Sequence, residues 1–280
     1  MVESPRFVII DCYDAEGQLG LQNSGATLAN ILYKRLIDSL IPNAKLDILN
    51  IAFIDAPSID PTHYDGAFWT GSNLFLSADD PESRRHIDLC HDFFAHGIPQ
   101  FGSCWAAQLA CHTAGGSVEA NPLGREFGFI QNIEKTEIGK SHPMLAGKAN
   151  IYAGFASHRD SITSYPKECE VLARNAHSIQ AIDVSYLKGR FWATQYHCEY
   201  DYAEIAMLAQ TRKQTLINDE VFKDEDSVDL FSKDIKNYQE GIDKKNIENK
   251  YNLDPKMLVP SHNAFELRNW LSYFFNIECP

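Results

Sequence analysis

The stretch FGSCWAAQLA (residues 101–110) places a glycine, a serine and a cysteine directly before an apolar, helix-like run. The preceding residues are typical of a buried strand, so Cys104 falls on a turn between a strand and a helix. Gly102 and Ala106 flank it, and small residues suit the close approach of the chain at such a strand-turn-helix elbow. The motif alone leaves two interpretations open, a nucleophile or a buried structural thiol.

Three physical effects favour the nucleophile. A tight turn exposes the sulfur, the positive end of the following helix lowers the thiol pKa, and neighbouring backbone N–H groups can bind an oxyanion.

The sequence before this elbow alternates between strand and helix patterns. RFVIIDCYD (6–14), KLDILNIAF (45–53) and YDGAFWTGS (64–72) are typical of strands. SGATLANILYKRLIDSL (24–40), with Ser24 as the predicted N-cap, and PESRRHIDLCHDFFAHG (81–97) have apolar residues at helical spacing. This alternation predicts an α/β fold with a mainly parallel sheet covered by helices, in which sites form at the carboxyl ends of strands.

The second half of the chain has a different pattern. Residues 125–200 contain short strand patterns separated by turn residues, which predicts a small antiparallel excursion and a return to the main sheet. Residues 203–260 are rich in charge and have long helical patterns, and AFELRNWLSYFF (264–275) is a final apolar helix.

Composition excludes several classes of function. The 280 residues carry a formal net charge of −13, which argues against a surface for nucleic acid or anionic membrane. No apolar run is long enough for a membrane span, and the N-terminus has no signal-peptide pattern. Seven cysteines without paired short spacings fit free thiols in a reducing compartment, so we expect a cytoplasmic protein.

A nucleophilic cysteine needs a base, and the base needs an orienting group. YHCEY (196–200) supplies candidates in His197 and Glu199. Positions i and i+2 of a strand share a face roughly 7 Å apart, so these two side chains would face Cys104 while Cys198 points away. The other clustered histidines, at positions 86, 91 and 96, spread around one predicted helix, and we expect no metal site there.

These residues together resemble the class I, or triad, glutamine amidotransferases, whose elbow reads small-x-Cys-x-small-x-Gln and whose later His-x-Glu completes a triad. The chain is most similar to the GMP synthase-type glutaminase domain. The resemblance extends over further segments in the family's order: YDGAFWTGS, TAGGSV (113–118), REFGF (125–129), ASHRDSI (156–162) and LRNWLSYFF (267–275).

The resemblance implies a flavodoxin-like doubly wound sheet with helices on both faces. It also implies a single domain over residues 1–280, in which 203–260 is a helical insertion before a closing helix at 263–276. The insertion would lie over the active site or against a second copy of the chain as a homodimer contact.

The resemblance further implies the roles of individual residues. Cys104 would be the nucleophile, His197 the acid and base, and Glu199 its partner. The residues implied for the oxyanion hole are Gly71 and Trp105, and those implied for holding the substrate are Gln108, Ser157 and His158. No cofactor and no metal are implied.

Three features depart from the family's pattern, one of which is Cys198, which stands where the family's His-x-Glu motif usually has proline. Ala106 stands where the elbow usually has glycine, and the oxyanion loop reads Thr70-Gly71-Ser72-Asn73, with one glycine where the family usually has two. These changes leave the triad residues intact but alter the shape expected of the substrate pocket.

Three functions remain open at this point. The first is a glutaminase that releases ammonia from L-glutamine through a cysteine thioester, for a separate acceptor enzyme. The second is a hydrolase of γ-glutamyl peptides or other γ-glutamyl amides on the same triad. The third, disfavoured by the intact triad residues, is a catalytically silent binding module.

Overall fold

The central sheet is mainly parallel and is built around the N-terminal strand. The computed structural model describes residues 5–53, 58–76, 80–258 and 264–279. Eleven strands lie in these ranges: β1 (Arg6–Asp11), β2 (Lys45–Asn50), β3 (Gly66–Trp69), β4 (Gln100–Ser103), β5 (Ser117–Ala120), β6 (Glu126–Lys135), β7 (Ile151–His158), β8 (Asp160–Ser164), β9 (Cys169–Arg174), β10 (Ile179–Tyr186) and β11 (Gly189–Thr194).

Nine of the described strands form one sheet in the order β2-β1-β3-β4-β11-β10-β9-β6-β7. The first five are parallel to one another, and the remaining four join them by antiparallel pairing. Strands β5 and β8 make a separate antiparallel pair. The predicted antiparallel excursion and return are confirmed, because β11 pairs in parallel with β4 and brings the chain back beside the elbow.

Both faces of the sheet are buried. Val8 and Ile10 of β1 point into one core, whereas Phe7 and Ile9 point into the other, as expected from the two-residue period of a strand. Burial on both sides explains why β1 has a continuous apolar run instead of an alternation of apolar and polar residues.

The described α-helices that cover the sheet and its edges are α1 (Ala15–Ser24), α2 (Ala29–Leu40), α3 (Pro81–His96), α4 (Trp105–Thr113), α5 (Glu137–Ser141), α6 (Tyr202–Thr211), α7 (Lys213–Asn218), α8 (Glu225–Gln239), α9 (Lys244–Tyr251) and α10 (Phe265–Phe275).

The prediction of Ser24 as an N-cap is wrong. Ser24 is the last residue of α1, a helix that the sequence pattern did not show, and Gly25 ends that helix in the left-handed conformation at φ 77°. The side chain of Asp14 caps α1 by accepting from the amide of Gly17. Helix α1 was missed because Leu21 is its single buried residue, so it has no apolar face.

Helices α6 to α9 occupy the segment predicted as a helical insertion. Their apolar side chains pack into a third core with α1 and with aromatic residues of β6 and β7. Helix α6 therefore lies against the sheet edge and α1, close to the carboxyl ends of the parallel strands. None of the described helices is long and apolar enough to cross a lipid bilayer.

The predicted closing helix is observed as α10, over Phe265–Phe275. Trp270 and Leu271 of this helix are buried against the same sheet face as Phe7. Residue 263, the predicted start of the helix, and residues 259–260 of the predicted insertion lie outside the described residues.

Candidate active site

Cys104 lies in the turn between β4 and α4, at the carboxyl end of a central parallel strand. Its backbone has φ 59° and ψ −111°, a region that residues with a side chain rarely adopt. A Cβ added to Gly102 would lie 2.5 Å from the Cβ of Ala106 and 2.9 Å from the carbonyl oxygen of Trp69. The two small residues of the motif therefore face each other, and Ala106 fits because its partner is glycine.

The same turn fixes the sulfur in a buried position. The Cys104 amide donates to the carbonyl of Thr194 at 2.7 Å, and Sγ lies 3.9 Å from the carbonyl oxygen of Ser157. Cys104 thus sits between β11 on one side and the end of β7 on the other.

His197 and Glu199 contact each other directly. His197 Nδ1 lies 2.6 Å from Glu199 Oε1, and both side chains are buried. The strand that leads to them, β11, ends at Thr194, three positions before His197, so the two residues lie in a bend rather than on an extended strand. The amide of His197 donates to Phe155 at 2.8 Å, which holds this bend against β7.

A chain of hydroxyl groups holds Glu199 from the other side. Ser103 Oγ donates to Glu199 Oε1 at 2.8 Å, and Tyr33 OH donates to Ser103 Oγ at 2.8 Å. Three elements far apart in sequence therefore orient one carboxylate. The His197 ring in turn stacks on Tyr200, with ring centroids 3.8 Å apart and an interplanar angle of 3°.

The electrostatics of this group favour a protonated imidazole. Burial lowers the pKa of His197, but the negative charges of Glu199 and Cys104 outweigh burial and raise that pKa to about 9. His197 Nε2 is buried and has no hydrogen-bond partner among the described residues. This nitrogen is the one that can exchange a proton with Cys104 or with a bound molecule.

Gly71 lies beside both Cys104 and His197. A Cβ added there would be 3.2 Å from His197 Cε1 and 3.7 Å from the Cβ of Cys104. Trp105 is the first residue of α4, so its amide has no acceptor within the helix. Gly71 and Trp105, the two residues predicted to form an oxyanion hole, therefore both adjoin Cys104.

A cavity of about 270 Å³ opens beside Cys104. The predicted substrate residues Gln108, Ser157 and His158 all line it, as does Trp105. Their polar atoms are partly engaged: Gln108 Nε2 donates to the carbonyl of Asp160 at 3.0 Å and to Gln195 Oε1 at 3.2 Å. Both amide hydrogens of Gln108 are thus used, and its Oε1 is the atom suited to accept from a ligand.

The ring of His158 is held by two structural contacts. Its Nδ1 lies 3.0 Å from the carbonyl of Asp160, and its Nε2 lies 3.0 Å from Glu126 Oε2. The ring is therefore part of the wall, and it is the strand end around His158 that borders the cavity.

Comparison with known proteins decides the family. A family model described as "Glutamine amidotransferase class-I" matches residues 61–210, more than half of the chain, including Cys104, His197 and Glu199. The chain belongs to the class I glutamine amidotransferase family. The flavodoxin-like α/β fold expected for the family is the fold observed.

Individual relatives divide into two kinds. A γ-glutamyl-L-1-hydroxyisopropylamide hydrolase of Pseudomonas sp is 30% identical over 75% of this chain and 72% of its own length. A GMP synthase of Zymomonas mobilis is 32% identical over 38% of this chain, but the match spans only 20% of that protein. The matched segment of this chain thus corresponds to about a fifth of that GMP synthase's length.

Solved structures of the family have the same fold. A glutamine amidotransferase from Thermotoga maritima superposes with a TM-score of 0.63 over 97% of this chain and 98% of its own, at 16% identity. One from Methylobacillus flagellatus gives 0.65 over 96% and 94%, also at 16% identity.

Sequence reasoning missed four residues that shape this amidotransferase site. Tyr33 and Ser103 orient Glu199, and Tyr200 stacks on the histidine. Arg212, between α6 and α7, lines the cavity. Tyr33, Ser103 and Tyr200 stood within quoted stretches, but nothing in those patterns indicated their roles. The roles of Tyr33, Ser103 and Arg212 depend on contacts between distant segments.

A separate group of side chains has donor atoms suited to a metal. One ligand atom each from His142, Glu170 and Asp183 lies within 4.8 Å of the others. Asp183 is already paired with His142 at 3.0 Å and with Arg190. The buried carboxylate is thus neutralised by the protein itself, and this group is explained as an ion-pair network.

Proposed function

We propose that this class I amidotransferase hydrolyses γ-glutamyl amide bonds through a thioester on Cys104. The observation that carries the proposal is the arrangement of His197, which contacts Glu199 through Nδ1 and adjoins Cys104 at the elbow. A nucleophile, a base and an orienting carboxylate in this order are the arrangement required for acyl transfer.

The proposed reaction begins with a proton already on His197. Because the pKa of His197 is raised to about 9, its imidazole is protonated near neutral pH, and the nucleophilic form of Cys104 beside it is the thiolate. The sulfur attacks the amide carbonyl carbon, and the amides of Gly71 and Trp105 stabilise the oxyanion. His197 then donates its proton to the leaving nitrogen as the C–N bond breaks, which leaves a γ-glutamyl thioester.

Water completes the cycle. His197, now neutral, accepts a proton from water as its oxygen attacks the thioester carbonyl carbon. The C–S bond breaks, the free glutamate leaves, and the imidazolium and thiolate are restored.

A substitution at Gly71 tests the oxyanion side of the site. In Gly71→Ala the added Cβ would stand 3.2 Å from His197 Cε1, so the ring must move by a few tenths of an ångström. We expect kcat to fall roughly tenfold, since misplacement of a catalytic group lowers the rate steeply, with little change in the thermal unfolding midpoint. Unchanged kcat in steady-state assays would contradict this placement of Gly71.

Glutamine and N-alkyl γ-glutamyl amides both fit the proposed chemistry, and we favour the N-alkyl amide as the substrate. The relative that matches most of its length hydrolyses, by its name, a γ-glutamyl amide of a small organic amine. In this chain the cavity is also bordered by Leu74 and Phe75, and the Phe75 side chain is 65% exposed. An exposed apolar ring at the mouth suits an alkyl group on the leaving amine, which ammonia lacks.

Phe75→Ala tests this preference. Loss of the ring removes apolar contact with an N-alkyl group, so we expect KM for γ-glutamyl isopropylamide to rise about fivefold. The KM for glutamine, which has no alkyl group, is expected to change less than twofold. Parallel kinetics with Leu123→Ala, an exposed apolar residue outside this cavity, provide the control. Equal effects on both substrates would contradict an apolar amine subsite.

The proposed function is tested with the purified full chain. Release of isopropylamine from γ-glutamyl isopropylamide is compared with release of ammonia from L-glutamine. Faster cleavage of the alkylamide supports the favoured substrate. Cleavage of glutamine alone supports an ammonia-releasing glutaminase, whose separate acceptor enzyme would then be sought. Cleavage of neither compound overturns the proposal.

A further inference from the structure

Arg212 places a positive charge in the cavity beside Cys104. It follows α6, two residues beyond the segment matched by the family model, and its guanidinium enters the cavity beside Cys104. It is held by neutral groups: Nη1 donates to the Ser157 hydroxyl, and Nη2 donates to Tyr13 OH at 2.9 Å. No carboxylate among the described residues lies within 4.0 Å of it.

The other arginines of the cavity are placed differently. Arg125 Nε donates to Asp219 at 2.6 Å, so its charge is already paired. Arg159 is exposed to solvent. Among the described residues that line the cavity, Arg212 is therefore the partly buried arginine that has no carboxylate partner. A guanidinium removed from water without a carboxylate partner is costly, and beside the Cys104 sulfur a carboxylate of the ligand can compensate it.

The position of the Arg212 guanidinium relative to the Cys104 sulfur indicates which anion fits. Arg212 Nη1 lies 3.4 Å from the carbonyl oxygen of Ser157, and Cys104 Sγ lies 3.9 Å from the same oxygen. The guanidinium and the nucleophile are thus separated by one carbonyl group. A γ-glutamyl chain places its α-carboxylate carbon four carbon–carbon bonds beyond the carbonyl carbon that the sulfur attacks, a length that can span this short separation.

We propose that Arg212 binds the α-carboxylate of the γ-glutamyl substrate and so restricts the enzyme to amides of an intact glutamyl group. The inference rests on the proposed function. Planar guanidinium and carboxylate groups form paired, charge-assisted hydrogen bonds, which lysine reproduces only in part. The helical segment 202–258 thereby contributes a residue to substrate recognition.

The test compares two substrates that differ in the α-carboxylate alone. They are γ-glutamyl isopropylamide and its decarboxylated analogue, 4-amino-N-isopropylbutanamide. For the wild-type chain we expect kcat/KM to be on the order of 10²-fold lower with the analogue. For Arg212→Gln we expect a loss of the same size on the glutamyl substrate, through KM, and no further loss when the carboxylate is removed. Arg212→Lys is expected to recover part of the discrimination.

One further variant and one further measurement make the outcome decisive. Arg174→Gln removes the same charge from an exposed position outside the cavity and is expected to keep the wild-type discrimination. If Arg212→Gln also keeps it, the proposal is overturned. A variant that loses rate equally on both substrates and reacts more slowly with iodoacetamide shows that Arg212 stabilises the Cys104 thiolate, which also overturns the proposal.

Failure of the proposed function gives a different result, because the wild-type chain then cleaves neither amide. The carboxylate site is in that case measured by calorimetry with L-glutamate and 4-aminobutanoate. Binding of L-glutamate that is lost in Arg212→Gln supports the site, and equal binding of the two ligands overturns it.

Discussion

Replacing Cys104 with alanine is expected to lower kcat/KM for γ-glutamyl amides by roughly 10⁴-fold or more, because no other group can form the thioester. The measurement is steady-state amine release, with single-turnover assays to set the residual rate. Cys111→Ala is the matched control: this cysteine lies on helix α4, which follows Cys104, and is fully buried, but its Sγ faces the carbonyl of Ser164 at 3.5 Å.

Loss of fold must be separated from loss of the nucleophile. Cys104→Gly serves this purpose, since glycine adopts φ 59° without the strain that a side chain imposes. We expect this variant to be inactive and to unfold at a temperature no lower than the wild type. Turnover retained by either the alanine or the glycine variant would contradict the assignment of Cys104.

The second large effect is expected for Glu199→Gln. The change keeps the shape of the side chain but removes the charge that raises the His197 pKa to about 9. Burial is then opposed by Cys104 without Glu199, so that pKa falls. His197 donates a proton to the leaving amine only while it is protonated, so activity falls as pH rises through the His197 pKa. We expect kcat/KM near pH 8 to fall by on the order of 10²-fold, and the alkaline limb of the pH profile to move to lower pH.

The pH profiles of wild type and variant make this measurable. Glu204→Gln is the control, because Glu204 is also a buried glutamate but contacts the amide of Thr27. Its alkaline limb is expected to remain where the wild-type limb lies. An alkaline limb that stays near pH 9 in Glu199→Gln would contradict the role given to the carboxylate.

The parts of the site that sequence could predict are those set by short-range geometry. The small residues around Cys104 are required because Gly102 and Ala106 touch each other across one turn. His197 and Glu199 are two positions apart, so their pairing is a local property of the chain. The alternation of strand and helix likewise reflects periodicity within each segment, and it predicted the parallel sheet that places the elbow at a strand end.

The parts that could not be predicted depend on tertiary packing. Tyr33 reaches Ser103 across 70 positions, and Ser103 reaches Glu199 across 96. Arg212 enters the cavity because α6 packs on α1, a helix that itself had no apolar pattern to reveal it. Charge-rich helices are usually solvated, so nothing in the sequence around Arg212 distinguished it from the surface charges of the same segment.

Covalent labelling of the full chain with a diazo-ketone analogue of glutamine, followed by peptide mapping by mass spectrometry, tests the nucleophile directly. If Cys104 is the nucleophile, we expect one adduct, on the peptide that carries Cys104, with the other six cysteines unmodified and with labelling slowed by excess substrate. No adduct at Cys104, or labelling distributed over several cysteines and unaffected by substrate, would contradict this assignment.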